Sequence, residues 1–195
     1  MPLIAFLGCD GAGKSAVIEG LAGKLEADGH QVVRGHWRPR PFQAEATEEE
    51  IAAAADPHAM APRGLLSSIL KLGWIWGNWW LAWFTGLGRD SRKGCVLFDR
   101  FHADLTIDPR RYRYGGPDWL ARLASSTMPQ PDRIIFLDAP VAVLLSRKQE
   151  VPGEGLTQSR GRYLDYCGKN RRARVVDASR SLEEVIMEVA KEIDG

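Results

Sequence analysis

Short apolar runs recur along the chain and alternate with segments of helical periodicity. Each of the five runs is short, and most are bounded by glycine, proline or polar residues, as buried strands are: Leu3–Leu7, Gln31–Arg34, Cys95–Phe98, Arg133–Leu137 and Arg174–Val176. Apolar residues recur every three or four positions in three further segments, which predicts helices at 14–27, 141–149 and 181–193. Another helix is predicted at 44–55, and a longer one after Pro57 and Pro62.

This alternation predicts the α/β class, with a mainly parallel five-stranded sheet and helices on both faces. In such sheets ligands bind beyond the carboxyl ends of the strands. Polar or glycine-rich segments follow the predicted strands at Gly8–Ser15, Arg34–Arg40, Asp99–Arg100 and Asp138. We therefore expect a single domain over residues 1–195 with its functional site at this edge of the sheet.

Residues 8–15 read GCDGAGKS and fit the phosphate-loop pattern GxxxxGK[ST] between a predicted strand and a predicted helix. The glycines let successive backbone N–H groups face a chain of phosphates, and the helix adds the positive end of its dipole. Lys14 is expected to reach the β- and γ-phosphates, and the Ser15 hydroxyl to bind Mg²⁺. A glycine-rich turn without nucleotide is the alternative, and the flanking elements disfavour it. The residues predicted to hold ATP and Mg²⁺ are Asp10, Gly11, Ala12, Gly13, Lys14, Ser15 and Ala16.

Asp10 lies inside the loop, where most phosphate loops need no acid. Its carboxylate could orient an acceptor hydroxyl or assist removal of the proton from that hydroxyl. Alternatively, Asp10 caps a local turn, as aspartates often do.

Four segments, in order along nearly the whole chain, resemble the thymidylate kinase family of the nucleoside monophosphate kinase superfamily. They read FLGCDGAGKS at 6–15, VLFDRF at 96–101, PDRIIFLDAP at 131–140 and VVDAS at 175–179. The resemblance implies an ATP-dependent P-loop kinase in which Asp99 lies near Mg²⁺ and Arg100 holds the acceptor phosphate. It also implies that Ala178 and Ser179 lie beside the nucleotide base.

The resemblance further implies a lid at about 147–162 whose arginine covers the transferring group. Glycine and proline between 152 and 161 suit a hinged segment. The candidates are Arg147, Lys148, Arg160 and Arg162, of which Arg147 is preferred as a catalytic residue beside Asp10, Lys14, Asp99 and Arg100.

Two segments depart from the thymidylate-specific members of that family. Residues 34–40 read RGHWRPR where those members carry Arg-Glu-Pro-Gly-Gly-Thr, and 102–116 lack the Ser and Tyr-Gln that read a pyrimidine. Arginine beside tryptophan suits a phosphate or sugar. A surface loop closed on its own Arg–Asp pairs is the alternative, and His102 is expected on a helix surface without a catalytic role. The residues predicted to hold the acceptor are Asp10, His36, Arg38, Arg100 and Arg111.

The acceptor stays open between a nucleoside monophosphate such as dTMP and a sugar, phosphosugar or lipid-linked group. A function of another class is a nucleotide-binding scaffold or regulator without phosphotransfer, which would dock a partner through the tryptophan-rich segment. The acceptor-side arginine, Arg100, counts against that second class, because a pure nucleotide binder has no need of it.

Five of the seven tryptophans lie between Trp74 and Trp83, within 17 residues between Lys71 and Arg89 that carry no charge. A membrane crossing here would separate Asp99 from the phosphate loop, so it is disfavoured. On a helix, one apolar stripe comprises Leu72, Trp76, Trp79 or Trp80, Trp83 and Leu87, and it is widened by Ile75, Leu81 and Phe84. This surface exceeds one buried face and favours a homodimer, ahead of peripheral membrane contact or a purely core helix.

The composition indicates which binding partners and which cellular compartment to expect. The 26 basic and 25 acidic residues give a net charge of +1, so a nucleic-acid partner is not predicted. The three cysteines are widely spaced without a CxxC pair, which favours a reducing compartment over a disulfide framework or a zinc site. The first residues lack the basic start and long apolar core of a signal peptide, so a cytoplasmic location is predicted.

Overall fold

A computed structural model describes residues 2–37, 61–147 and 153–194. Its five strands form one sheet in the order β2-β3-β1-β4-β5, and every neighbouring pair is parallel. The strands are β1 Leu3–Leu7, β2 Val32–His36, β3 Cys95–Asp99, β4 Arg133–Asp138 and β5 Ala173–Asp177. The predicted α/β class and five-stranded sheet are confirmed, with strand ends that differ by one or two residues.

Helices flank the sheet. They are α1 Lys14–Ala27, α2 Leu65–Ala82, α3 Gly88–Lys93, α4 Asp104–Ile107, α5 Asp118–Thr127, α6 Val141–Arg147, α7 Gly153–Lys169 and α8 Leu182–Asp194. A π-helical turn, Trp83–Leu87, joins α2 to α3. The helix α1 packs on α8, whereas α4 contacts both α5 and α7. The helices predicted at 14–27, 141–149 and 181–193 appear as α1, α6 and α8, and the one predicted at 44–55 lies outside the described residues.

The central strand β1 explains the position of the phosphate loop. All five of its residues are buried, because neighbouring strands cover both edges and helices cover the faces. The edge strands β2 and β5 are only partly buried. The chain leaves β1 at Gly8, so the loop that follows lies at the carboxyl edge of the sheet, between β3 and β4.

The tryptophan-rich helix α2 is rotated relative to the predicted stripe. Leu72, Ile75 and Trp79 are buried, and the Trp79 ring lies 5.3 Å from that of Phe98. Trp76 was expected in the stripe but is 42% exposed. The helix is apolar on nearly all sides, so its periodicity fixes no single buried face, and the contact of Trp79 with the sheet decides the rotation. Within the described ranges, no helix has the length and apolar character that a bilayer crossing requires.

His102 was expected on a helix surface, and that expectation is wrong. The ring is 1% exposed, with Nδ1 at 2.9 Å from the Ser125 hydroxyl and Nε2 at 3.0 Å from the carbonyl of Pro129. Because a carbonyl only accepts, Nε2 carries the proton. Burial lowers the pKa of His102 to about 4, so the ring is neutral and links the loop after β3 to the end of α5.

Candidate active site

The phosphate loop has the backbone that its glycines allow. Gly11 and Gly13 take positive φ values of 85° and 81°, and a Cβ on Gly11 would lie 2.7 Å from the carbonyl oxygen of Leu144. Lys14 begins α1 directly after Gly13. Its Nζ donates to the carbonyls of Gly8 and Cys9, both at 3.0 Å. The lysine therefore folds back over the loop whose N–H groups are expected to face phosphates.

A cavity of about 300 Å³ opens at this loop. Its lining combines the loop with the carboxyl ends of β2 and β3 and the segment after α4. The lining residues are Asp10, Gly11, Gly13, Lys14, Ser15, Ala16, His36, Asp99, Arg100 and Arg111. Every one of them was predicted from the sequence, and the fold brings them together from four separate segments. We call this space the phosphate cavity.

Lys14 is buried in the wall of the phosphate cavity. Burial, together with the nearby charge of Arg100, lowers the pKa of Lys14 to about 8. A polyanion bound beside the ammonium group would have the opposite effect. The lysine is thus set to gain charge stabilisation when phosphates bind.

Asp99 and Ser15 offer oxygen ligands side by side. The Ser15 hydroxyl lies 3.5 Å from Oδ2 of Asp99. In the part of the chain that the structure describes, Oδ1 of Asp99 is buried and has no hydrogen-bond partner. Mg²⁺ prefers carboxylate and hydroxyl oxygens and usually completes its shell with water and phosphate. The residues present fit Mg²⁺, and no cluster of three His, Cys, Asp or Glu ligands occurs among the described residues.

Asp10 lies between two arginines at the other end of the phosphate cavity. One carboxylate oxygen accepts from Arg100 at 3.0 Å and the other from Arg111 at 2.6 Å. Burial alone would raise the pKa of Asp10, but Arg111 and Arg100 outweigh it and hold the pKa well below its usual range. The carboxylate therefore stays ionised at any physiological pH and is a weak proton acceptor.

A buried network holds Arg100 from behind. Asp104 is 0% exposed and accepts from Arg100 at 2.7 Å and from the hydroxyls of Tyr112 and Tyr163, both at 3.0 Å. Arg100 also donates to the Tyr163 hydroxyl at 3.0 Å. The backbone of Arg100 has a φ of 65°, which is unfavourable for a residue with a side chain. This network offsets that strain and fixes the guanidinium toward Asp10.

Tyr112 and Tyr163 were not predicted as site residues from the sequence. The spacing of Arg100 and Asp104, four residues apart, was a signal for an ion pair. Trp37 was expected to form a wall for the acceptor, but it is 7% exposed and stacks on Tyr112 with ring centroids 4.5 Å apart. Arg38 lies outside the described residues.

Several predicted residues lie away from the phosphate cavity. Ala12, a residue of the loop itself, is buried, and the carbonyl of Ala178 accepts a hydrogen bond from Nη1 of Arg147 at 2.9 Å. Ser179 donates its hydroxyl to Asp177 at 2.6 Å. Arg147 thus lies at the turn after β5, where the base is expected, and not in the phosphate cavity; its catalytic role stays a prediction.

The predicted lid is only partly described. Residues 153–162 belong to α7, a regular helix, and Lys148 lies outside the described residues. Arg160 donates to both oxygens of Asp138, at 2.6 and 2.8 Å. Arg162 donates to Gln158 at 2.9 Å. These contacts place both arginines on α7 outside the phosphate cavity.

The fold and the loop together define a P-loop α/β protein. No family model matches the chain, and no curated protein does. Among solved structures, thymidylate kinase from Ehrlichia chaffeensis is similar, with a TM-score of 0.62 and 18% identity over 98% of this chain and 97% of that one. At this identity the likeness concerns the fold, and it supports the thymidylate kinase-like architecture that the sequence predicted.

Proposed function

We propose that this chain is a thymidylate kinase-like phosphotransferase that moves the γ-phosphate of ATP, bound with Mg²⁺, to a small acceptor. One observation carries the proposal: Lys14, Ser15 and Asp99 share a single cavity with Arg100 and Arg111. A protein that only bound nucleotide would need the first three groups but not the two arginines opposite them.

At the donor end, the loop N–H groups and Lys14 would bind the β- and γ-phosphates, and Ser15 and Asp99 would hold the metal. Mg²⁺, when bound, neutralises charge on the phosphates and orients them. Oδ1 of Asp99, which is buried and has no hydrogen-bond partner among the described residues, supports this assignment.

At the acceptor end, Asp10 orients the guanidinium groups of Arg100 and Arg111. Its depressed pKa makes proton removal by this carboxylate unfavourable, so a hydrogen bond to an acceptor hydroxyl is the better assignment. Arg111 is partly exposed, and its ion pair with Asp10 uses one Nη atom. The other N–H donors of its guanidinium group suit an anionic group of the acceptor. The fold neighbour supports a nucleoside monophosphate, and the altered segments 34–40 and 102–116 support a sugar or phosphosugar.

A coupled assay of ADP formation tests the proposal. The chain would be given MgATP with dTMP, UMP and CMP and, in parallel, with a panel of sugars and phosphosugars; Lys14→Ala is the control. We expect one acceptor class to raise ADP formation well above the ATP-only rate, and the rise to vanish in the control. Tight MgATP binding without acceptor-stimulated turnover in either class would favour the nucleotide-dependent scaffold instead.

We also propose that a second copy of the chain covers the exposed side of α2. Leu66, Leu70 and Leu81, with Phe84 of the π-helical turn that follows, repeat at helical spacing and are between 42% and 78% exposed. Gly73 and Gly77 lie between them on the same side, and no atom of the described residues lies within 4 Å of a Cβ built there. A second helix could therefore approach closely.

Light scattering after gel filtration tests this dimer. We expect a dimer mass for the wild-type chain and a monomer mass for Leu70→Glu, with Arg89→Gln as a surface control that stays dimeric. A monomeric wild-type chain that floats with phosphatidylglycerol vesicles would contradict the dimer and favour a membrane surface.

A further inference from the structure

A second cavity lies between α4, α5 and α7, and its volume is about 710 Å³. This volume is within the range of small-molecule sites. Within the described residues, the two cavities share no lining side chain. The second cavity therefore needs an explanation of its own.

The helix α7 separates the two cavities. Arg162 faces the second cavity. The next residue, Tyr163, is buried on the opposite side, where it contacts Arg100 and Asp104. A molecule in the second cavity would thus be neither the phosphate donor nor the acceptor of the proposed transfer.

The charged residues of the second cavity are mainly cationic. Arg122, Arg162 and Lys169 stand against Asp165, so three positive charges and one negative charge give a net +2. The Asp165–Lys169 pair, at 2.7 Å, is exposed and accordingly weak. This balance favours an anionic ligand.

Arg162 has N–H donors that can bind such a ligand. One Nη of Arg162 is engaged by Gln158 at 2.9 Å, whereas the other reaches the carbonyl of Ile107 only at 3.4 Å. A bond of that length is easily exchanged for a better acceptor. Arginine forks pair with phosphate oxygens through two parallel hydrogen bonds. The Ser125 hydroxyl donates to His102 and the Ser126 hydroxyl donates to the carbonyl of Leu123, so both serine oxygens in the lining can accept from N–H or O–H groups of the ligand.

We propose that the second cavity is a binding site for a small polar molecule that carries a phosphate group, with Arg162 and Arg122 on the phosphate. The site is distinct from the phosphate cavity, and the proposal does not depend on kinase activity.

Backbone amide chemical shifts of the ¹⁵N-labelled full chain test the proposal, with inorganic phosphate as the probe at constant ionic strength. Mg²⁺ and a non-hydrolysable ATP analogue would be present in excess so that the phosphate loop is occupied. We expect saturable shifts at Ser126 and Lys169 in the second cavity. Arg162→Gln should weaken phosphate binding there about tenfold, since it removes one charged hydrogen-bond donor. Arg89→Gln, an exposed arginine outside the second cavity, should leave it unchanged.

A second pair of variants covers the case that Arg162→Gln disturbs α7. Gly161 lines the second cavity, and in the described part of the chain no atom lies within 4 Å of a Cβ built on it. Gly161→Glu and Gly161→Gln place side chains of equal size there, and only the glutamate should abolish phosphate binding. The absence of saturable phosphate shifts at Ser126 and Lys169, or equal losses in Arg162→Gln and Arg89→Gln, would overturn the proposal.

Discussion

The two ends of the phosphate cavity are built in different ways. At the donor end, Lys14 contacts carbonyls only six and five positions earlier in the chain, those of Gly8 and Cys9. At the acceptor end, Asp10 meets Arg111 across 101 positions, and Arg100 meets Tyr163 across 63. The donor end thus depends on local backbone geometry, and the acceptor end depends on tertiary packing. We therefore expect a substitution at the donor end to change activity with little effect on stability. A substitution in the buried network of the acceptor end should change both.

The largest effect is expected for Lys14→Ala. Removing the ammonium group takes away charge stabilisation of the transferring phosphate, so turnover should fall by about three orders of magnitude. The fold should stay intact, because the hydrogen bonds of the ammonium group within the described residues go to the loop carbonyls of Gly8 and Cys9, and burial of the charge is unfavourable. Turnover comes from the ADP assay, and the free energy of unfolding from denaturant titration. Normal turnover in this variant would remove the catalytic assignment of the loop.

Arg100→Ala should affect stability as well as activity. The substitution leaves the carboxylate of Asp104 buried without its cation. In comparable buried pairs such a loss lowers the free energy of unfolding by about 3–5 kcal/mol. Denaturant titration gives this difference. Tyr163→Phe is the matched control, since it removes one hydroxyl and keeps the ion pair, at a cost of about 1 kcal/mol. If Arg100→Ala were as stable as wild type, the network would not be the support of the acceptor end.

Arg111→Gln should weaken acceptor binding without much loss of stability. Arg111 is partly exposed and contacts Asp10 with one Nη, so its removal leaves no fully buried charge. A charged hydrogen bond of about 1.5–3 kcal/mol predicts a rise in the acceptor KM of about tenfold to a hundredfold. The KM for ATP should not change. A change in the KM for ATP alone would place Arg111 at the donor end.

The smallest effect is expected from pH at the donor end. The pKa of Lys14 in the free protein is about 8, below its ordinary value, and bound phosphates raise it. The ammonium is therefore present below pH 8 and is lost above it, so MgATP affinity should fall by up to about tenfold per pH unit above 8. Calorimetric titration from pH 7 to 9 measures this. Lys14→Arg, which stays charged, should show a flat profile.

The contrast between the two ends also explains what could be predicted. Residues 8–15 form a contiguous motif, and Asp99 and Arg100 come directly after a predicted strand. Both features could therefore be recognised from the sequence. Tyr163 could not be found, because nothing near it along the chain distinguishes it from any other helical tyrosine. Trp76 was placed in the main apolar stripe, yet it is 42% exposed, because α2 is apolar on most sides and its periodicity cannot fix its rotation.

By itself, the sequence determined the parallel sheet and the phosphate loop. Both follow from local rules: buried strands are apolar throughout, and a tight anion-binding turn requires glycine at fixed spacing. The tertiary structure decided which charges are paired, which face of α2 is buried and that a second cavity exists behind α7. Those features depend on contacts between residues far apart in the chain, whose energies vary with burial and distance, and no local pattern encodes them.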